Sequence, residues 1–436
     1  MKLKIQNFAK IKDADIILDG ITVIAGKNNT GKSTVGKILD SMYNSTNNLE
    51  TKMRRARKLR FRNVLSSKLN YAGNSVHLSP AFIAETVDNI FESDDDNEVA
   101  NILEDLVEYA LPDNEIKDSM KLLKELDSMK LLKELISDFE EIQSIPDEIF
   151  TMAILSNYFR EMFNGNMNNT EYLDTIARIE IQIKSGKNII MFQNNTCFEY
   201  EFGFNPVSSS VYLDNPILLD KLNNTDVMRM PRRYLSEQEY NLYTKLAGER
   251  SSVEERAINE IINKEKLDEV FQLLNKVIPG EITYNQKYEY RTEKGKNGID
   301  IRSMSTGLKS FAILKQLIMN GSLNDKDAVI LDEPEIHLHP EWQMIYAELI
   351  VILQQKFDLN FIINTHSSHF LETLDFYAVK YGRKEICHYY LSEESDEECT
   401  FEEVTHTPEK IYKQLVDPSL LLAREKEKWE DEHEPV

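Results

Sequence analysis

The stretch GKNNTGKST, Gly26–Thr34, limits what this chain can become more than any other part of it. It matches the spacing G-x-x-x-x-G-K-[ST] in full. An apolar run, ITVIA, precedes it, and GKSTVGKILDSMYNS follows with helical spacing at Val35, Ile38, Leu39 and Met42. A loop that passes straight from a strand into a helix aims its backbone N–H groups and the helix N-terminus at one point. That point binds anions, phosphate above all. Gly26 and Gly31 permit the tight turn and the close backbone approach, with Asn28, Asn29 and Thr30 between them. In this pattern Lys32 reaches the β and γ phosphates, and Ser33, followed by Thr34, supplies a hydroxyl to Mg²⁺. The expectation is ATP with Mg²⁺, on a strand–loop–helix unit that only an α/β fold provides.

Three later segments fit a phosphate-bound cation. In VILDEPEIHLHP, Val329–Pro340, a carboxylate pair ends an apolar strand. Asp332 is expected to hold the metal and Glu333 to orient and deprotonate an attacking water. The plainer reading is an exposed Asp-Glu pair opening a turn. In NFIINTHSSHF, His366 stands just past another buried strand, placed to hydrogen-bond a γ-phosphate; otherwise His366 or His369 caps the next helix. In RSMSTGLKSFAILKQL, Ser305, Thr306 and Gly307 open an amphipathic helix with Leu308, Phe311, Leu314 and Leu317 on one side. That is a second anion site or a plain N-cap. Lys32, Glu333 and His366 are the expected catalytic set. His337 and His339 have only i, i+2 spacing and read as loop structure, not as metal ligands.

The chain has 436 residues, 41% apolar and 29% charged, enough for one large domain or two to three smaller ones. It has no run of 18 consecutive apolar residues, so no membrane span is expected, and its start lacks the apolar core of a signal peptide. Cys197, Cys387 and Cys399 lie far apart, which argues for a reducing, cytoplasmic setting without a disulfide framework. A net charge of −23 excludes a surface that is basic all over. Nucleic acid would need a local patch, and KMRRARKLRFR, Lys52–Arg62, offers one; the alternative is a solvated helix face balanced by nearby acids. Alternation predicts two or three strands in the first 25 residues, helices over 50–160, strands over 173–215 and helices over 215–277. A tandem DSMKLLKEL at 118–126 and 127–135 has no solenoid period and is expected on a helix. Hairpin strands follow over 280–305, then strand–helix alternation and a terminal helix with an acidic tail. The predicted organisation is an α/β head in two parts, 1–45 and 281–436, with a mainly helical insertion at 46–280.

Taken in order, P-loop, long insertion, S-x-G helix, D-E strand and T-H strand, these pieces resemble the ABC-type ATPases. IQNFAKIKDADIILDGITVIAGKNNTGKST, DEPEIHLHP and NTHSSHFL resemble the SMC/RecF/OLD branch. The likeness covers about 1–45 and 280–375. It departs at the signature, where Thr306 and Leu308 replace a glycine and a glutamine, and Gln193 is the one weak Q-loop candidate. The resemblance implies a P-loop NTPase with an ABC/SMC-like head and an inserted helical lobe. It also implies two heads that sandwich ATP, each lending Ser305–Gly307 to the other's P-loop. The residues after THSSHFLETL lack the acidic segments of a Toprim nuclease, and no HNH-type cluster is present. The chain thus resembles stand-alone ATPases of anti-phage systems such as PARIS and Septu, which implies a separate effector, a nuclease or toxin. The competing class is a RecF-like repair ATPase that acts on DNA through Lys52–Arg62, helped by RMPRRY at 229–234. The long separation of P-loop and signature counts against a transporter subunit.

Overall fold

The computed structural model describes residues 1–71, 78–93, 95–110, 118–168, 175–204, 209–248, 267–292, 298–395 and 398–433. Chain contacts divide it into two compact units. One is Met1–Asn47 with Ser156–Val436, and the other is Asn48–Leu155.

The first unit is built on one sheet. Its strands are β1 (Lys2–Phe8), β2 (Ile11–Ile17), β3 (Ile21–Gly26), β4 (Ala177–Ile183), β5 (Gly186–Gln193), β6 (Thr196–Phe202) and β7 (Ser210–Leu213). A small separate sheet holds β8 (Glu281–Asn285), β9 (Lys287–Arg291) and β10 (Ile299–Asp300). The large sheet is completed by β11 (Ala328–Asp332), β12 (Asn360–Thr365), β13 (Cys387–Ser395) and β14 (Glu398–Glu403). Its eleven strands run in the order β6-β5-β4-β1-β2-β14-β13-β3-β12-β11-β7. From β13 to β7 all neighbours are parallel. Strands inside a parallel sheet are covered on both faces and read as unbroken apolar runs. ITVIA and AVIL are such runs, and every residue of β3 is buried. At the other end, β2-β1-β4-β5-β6 is antiparallel and shows polar–apolar alternation.

The parallel half positions the site. β3, β12 and β11 are adjacent, with Thr365 beside Ala25 and Asp332 beside Asn364. Their carboxyl ends therefore finish side by side, where open α/β sheets hold ligands. Helices Lys32–Thr46, Thr306–Met319, Pro340–Phe357 and Ser368–Lys380 belong to the same unit. Phe311, Tyr346, Leu349, Ile363 and Phe370 share one buried cluster with β3 and β11.

The insertion is shorter than the expected 46–280. The separate unit ends at Leu155, and the rest of that stretch is part of the head. β4 pairs with the free edge of β1, placing Ile179 opposite Ile5 and Ile181 opposite Leu3. β7 lies parallel to β11. The helical segments Pro216–Asn223 and Glu237–Ala247 add Leu219, Leu242 and Leu246 to the head's core. Open strand edges take partners from wherever the chain supplies them, so sheet membership does not follow chain continuity. The second unit is helical: Leu49–Tyr71, Pro80–Glu92, Asp96–Ala110, Asp118–Ser144 and the start of Asp147–Met162. Phe61, Phe91 and Phe139 form its aromatic centre, with Phe139 ring centroids 5.2 and 5.5 Å from the other two. The tandem repeat lies on Asp118–Ser144. No described helix is long and apolar enough to cross a membrane.

The P-loop helix, Lys32–Thr46, carries a buried acid. Asp40 Oδ1 accepts hydrogen bonds from Ser210 Oγ at 2.8 Å and Asn44 Nδ2 at 2.8 Å. Burial raises its carboxyl from the usual 3.8 to about 6, against the pull of those two donors. The folded chain thus keeps a proton there over a range in which the unfolded chain has lost it. The associated stability is full below about pH 4 and is lost as pH rises through about 6. Asp40→Asn keeps an acceptor without the charge. It is expected to match the parent's stability at pH 4 and to exceed it at pH 7 by about 1–3 kcal/mol. Thermal melts of both proteins across that range check this, and a difference that does not vary with pH refutes it.

Candidate active site

The P-loop closes as its glycines require. A side chain on Gly26 would place Cβ 2.2 Å from Ser392 Oγ and 2.5 Å from the Ser392 carbonyl oxygen on β13. Gly31, with φ +80°, precedes the helix Lys32–Thr46 in the left-handed region. Asn28 and Asn29 are exposed, Thr34 is half-buried in the first helical turn, and Thr30 is buried. Thr30 Oγ1 donates to the Lys27 carbonyl at 2.8 Å and lies 2.6 Å from Ser392 Oγ. Lys32 is also buried. Its Nζ donates back into the loop, to the carbonyls of Gly26 at 2.9 Å and Lys27 at 2.6 Å. Burial lowers the ammonium's pKa, and the negative charges of Glu333, Asp332 and Glu335 oppose that shift. A desolvated cation facing carboxylates across an exposed loop is electrostatically prepared for a polyanion.

Asp332 is the centre of the arrangement. Its Oδ1 accepts from Ser33 Oγ at 3.0 Å and from Asn364 Nδ2 at 2.9 Å. Its Oδ2 accepts from the Tyr212 hydroxyl at 2.8 Å. The carboxylate is thus oriented by the P-loop helix, β12 and β7 together. Burial and the Asp332 charge push the Tyr212 phenol well above its ordinary pKa, so it stays a donor. Ser33 hydroxyl beside Asp332 carboxylate is a hard oxygen pair. It suits a small divalent cation that draws its other ligands from phosphate and water. No group of three or more His, Cys, Asp or Glu among the described residues forms a self-sufficient metal site.

Glu333 follows with φ +51°, a left-handed conformation that a non-glycine residue adopts at a cost of about 1–3 kcal/mol. Its N–H donates to the Asn364 carbonyl at 2.9 Å, which fixes the turn. Its Oε1 lies 3.3 Å from His366 Nδ1. The turn therefore throws the Glu333 side chain toward the end of β12. The strain sits at the residue expected to handle water.

Glu335 is buried two positions further on. Its Oε1 accepts from Thr365 Oγ1 at 2.6 Å and from the His366 N–H at 3.3 Å. Burial raises its carboxyl, and the Thr365 hydroxyl opposes that.

The alternatives left by the sequence resolve unevenly. The helix Ser368–Lys380 is capped by Ser367, whose side chain accepts from the Phe370 N–H, so neither His366 nor His369 is its cap. His339 caps the helix Pro340–Phe357 through Nδ1, as loop structure. Ser305 caps the helix Thr306–Met319 by accepting from the Leu308 N–H at 3.4 Å. Gly307 lies against the loop after β11, where an added Cβ would meet the His337 carbonyl oxygen at 2.7 Å. Among the described residues no hydrogen bond joins 305–307 to 26–34. One chain thus brings together Lys32, Ser33, Asp332, Glu333 and His366 but not the signature. Gln193 ends β5, and five strands separate β5 from β3, so it is no part of the site. The basic run is largely committed within the helical unit. Arg54 bonds the Phe91 carbonyl, Arg57 bonds the Ile145 carbonyl and Asp147, Lys58 pairs with Asp88, and Arg62 bonds the Pro80 carbonyl. Two of these partners are carboxylates, Asp147 and Asp88, and the others are backbone carbonyls. Sequence reasoning missed Tyr212, Asn364 and Glu335. Glu335 stands in DEPE and Asn364 in NTH, so both were within reach; Tyr212 had no local signal.

Residues 1–371 match the family model described as AAA ATPase domain. The chain belongs to this family. It is an ATPase. Solved structures similar to the ATPase include the SMC head domain from Thermotoga maritima, at 12% identity, covering 92% of this chain and 98% of that one, with a TM-score of 0.37. Another is an SMC head with an extended coiled coil bound to the C-terminal domain of ScpA, derived from Pyrococcus furiosus. It has 13% identity, 96% and 98% coverage and a TM-score of 0.40. A third is the ATP-binding cassette of an ABC transporter in its ADP conformation, at 11% identity, 97% of each chain and 0.35. At these scores nothing about this ATPase's chemistry follows from them.

The loop geometry makes a direct expectation. Lys32→Ala removes the one buried ammonium at the loop and is expected to weaken ATP binding at least about 10-fold, a loss of about 1.4 kcal/mol or more. Gly26→Ala is expected to bind equally poorly and also to melt earlier, since its Cβ displaces backbone on β13. Titration with a fluorescent ATP analogue, with melting curves alongside, checks both. Unchanged affinity in Lys32→Ala refutes the loop assignment.

Proposed function

We propose that this protein is an SMC-like ATPase subunit that closes as a dimer on ATP and regulates a separate effector, a nuclease or toxin, in prokaryotic anti-phage defence. The observation that carries the ATP part is the convergence of Lys32, Ser33, Asp332, Glu333 and His366 from three adjacent parallel strands. Gly26–Thr34 cradle the phosphates through backbone N–H groups, and Lys32 exchanges its loop carbonyls for phosphate oxygens. Ser33 and Asp332 are the residues that would hold Mg²⁺, and Tyr212 and Asn364 fix the carboxylate's direction. Such a cation, when bound, would supply neutralisation of phosphate charge. Glu333 orients a water for in-line attack and takes its proton, and His366 meets the γ-phosphate. Ser305, Thr306 and Gly307 serve the partner subunit's nucleotide. Among the described residues no hydrogen bond joins them to the P-loop of their own chain, which is consistent with action in trans.

The effector reading rests on the helical unit 48–155, an addition that the ATP site does not use, and on the net charge of −23. An acidic scaffold suits a basic partner or holds an effector away from nucleic acid. Three buried free thiols suit a reducing cytoplasm. The competing assignment, direct action on DNA through Lys52–Arg62, is disfavoured by the internal partners of that run.

Glu333→Gln is expected to bind ATP normally, to hydrolyse it about 100-fold more slowly and to accumulate as a dimer. Light scattering with ATP and Mg²⁺ checks this, and a monomer at saturating ATP argues against the sandwich. Mixing Ser305→Arg with Lys32→Ala protein, each inactive alone, is expected to restore one working composite site per heterodimer. No recovery at any ratio argues for action in cis. The effector assignment is tested by capturing tagged Glu333→Gln expressed from its native locus. One stoichiometric protein whose activity changes with the ATP state supports the proposal. Abundant salt-sensitive DNA without a protein partner moves the assignment to repair.

A further inference from the structure

His366 lies between two carboxylates, and only one of them has an assigned role. Its Nδ1 is 3.3 Å from Glu333 Oε1 and 3.9 Å from Glu335 Oε1. A ring nitrogen facing two acceptors carries the proton, so the other nitrogen is left for a ligand. In this arrangement the imidazole stands against the Glu333 carboxylate, the group that must be free to take a proton from water. Glu335 is otherwise placed to receive the ring. It is 4% exposed, and its backbone is pinned, with its carbonyl accepting from the Leu338 N–H at 3.0 Å. Its Oε1 already grips the base of the histidine through the Thr365 hydroxyl and the His366 N–H. Its second oxygen, Oε2, is buried with no hydrogen-bond partner. Buried acceptors without partners are rare, because each costs its full desolvation. A short swing of the neighbouring imidazole satisfies the Glu335 carboxylate and releases Glu333.

We propose that Glu335 is a positioning residue that takes over the Nδ1–H of His366 from Glu333 when nucleotide binds, freeing Glu333 for its water and fixing His366 toward the γ-phosphate. The inference rests on the roles given above to Glu333 and His366. No covalent step is involved. A close approach of Nδ1 to Glu333 is exchanged for a hydrogen bond to Glu335, and the proton stays on Nδ1. Two features make the exchange local. Glu335 and Thr365 are both buried and tied to each other, so the acceptor does not move. The His366 side chain is 44% exposed and free to turn about an anchored backbone.

The test uses the full chain and steady-state ATP hydrolysis with melting curves. The variants are Glu335→Ala, Glu335→Gln, His366→Ala and the double Glu335→Ala/His366→Ala. Glu335→Ala is expected to lower kcat about 10- to 100-fold with KM within about twofold, the loss typical of a misplaced reacting group. Glu335→Gln keeps an oxygen acceptor and is expected to retain at least about one third of the parent kcat. The double variant is expected to be no slower than His366→Ala, because the two residues act through one contact. Losses that multiply in the double variant overturn the Glu335 assignment alone. So does a Glu335→Gln that melts like the parent yet is as slow as Glu335→Ala. An unchanged kcat in His366→Ala removes the histidine from the reaction, and both assignments fall together.

Discussion

The Asp332 carboxylate is the point on which the site depends. Three donors reach it from three elements: Ser33 from the P-loop helix, Asn364 from β12 and Tyr212 from β7. A carboxylate held on both oxygens cannot rotate, so the hydroxyl of Ser33 and the carboxylate share a fixed direction. Preorganisation of this kind is what an electrostatic site contributes, because no reorganisation is left for the moment of reaction. The arrangement also explains why β7 belongs to the head. Without that strand, Oδ2 would lose its hydrogen bond from the Tyr212 hydroxyl.

Strand register does the remaining alignment. In a parallel sheet, a slip of one residue sends every side chain to the other face. Here Asp332 lies beside Asn364 and Thr365 beside Ala25, so the Asp-Glu turn, the histidine turn and the P-loop leave the sheet at one level. The buried apolar residues of β3, β11 and β12 hold that register. Core and site are thus one structure: the same residues that bury the sheet set the distances among the polar groups at its end.

Past the strands, the loop after β11 carries three kinds of information in seven residues. Glu333 bears the left-handed turn, Glu335 reaches across to Thr365 and His366, and the His337 carbonyl lies against Gly307. The first two bring the loop to the histidine, and the third brings it to the signature helix. A change at the histidine and a change at the signature helix therefore meet in one short, tightly bonded segment.

Much of this was legible in the residues. The P-loop, the Asp-Glu pair, the histidine and the signature helix are local patterns, in which spacing along the chain is nearly spacing in space. Long apolar runs identified the parallel strands for the same reason. Sequence also set the composition. What it did not determine was membership. Residues 156–280 looked like part of an insertion but supply β4–β7 to the head, because strand pairing joins distant segments through backbone groups that carry no residue code. Tyr212 became part of the site only through that pairing, and Gln193 was excluded by it. Sequence left the basic run open, because its partners, Asp88, Asp147 and three backbone carbonyls, come from other segments of its unit. Local chemistry is written in the chain; which charges and edges meet is decided only when the chain has folded.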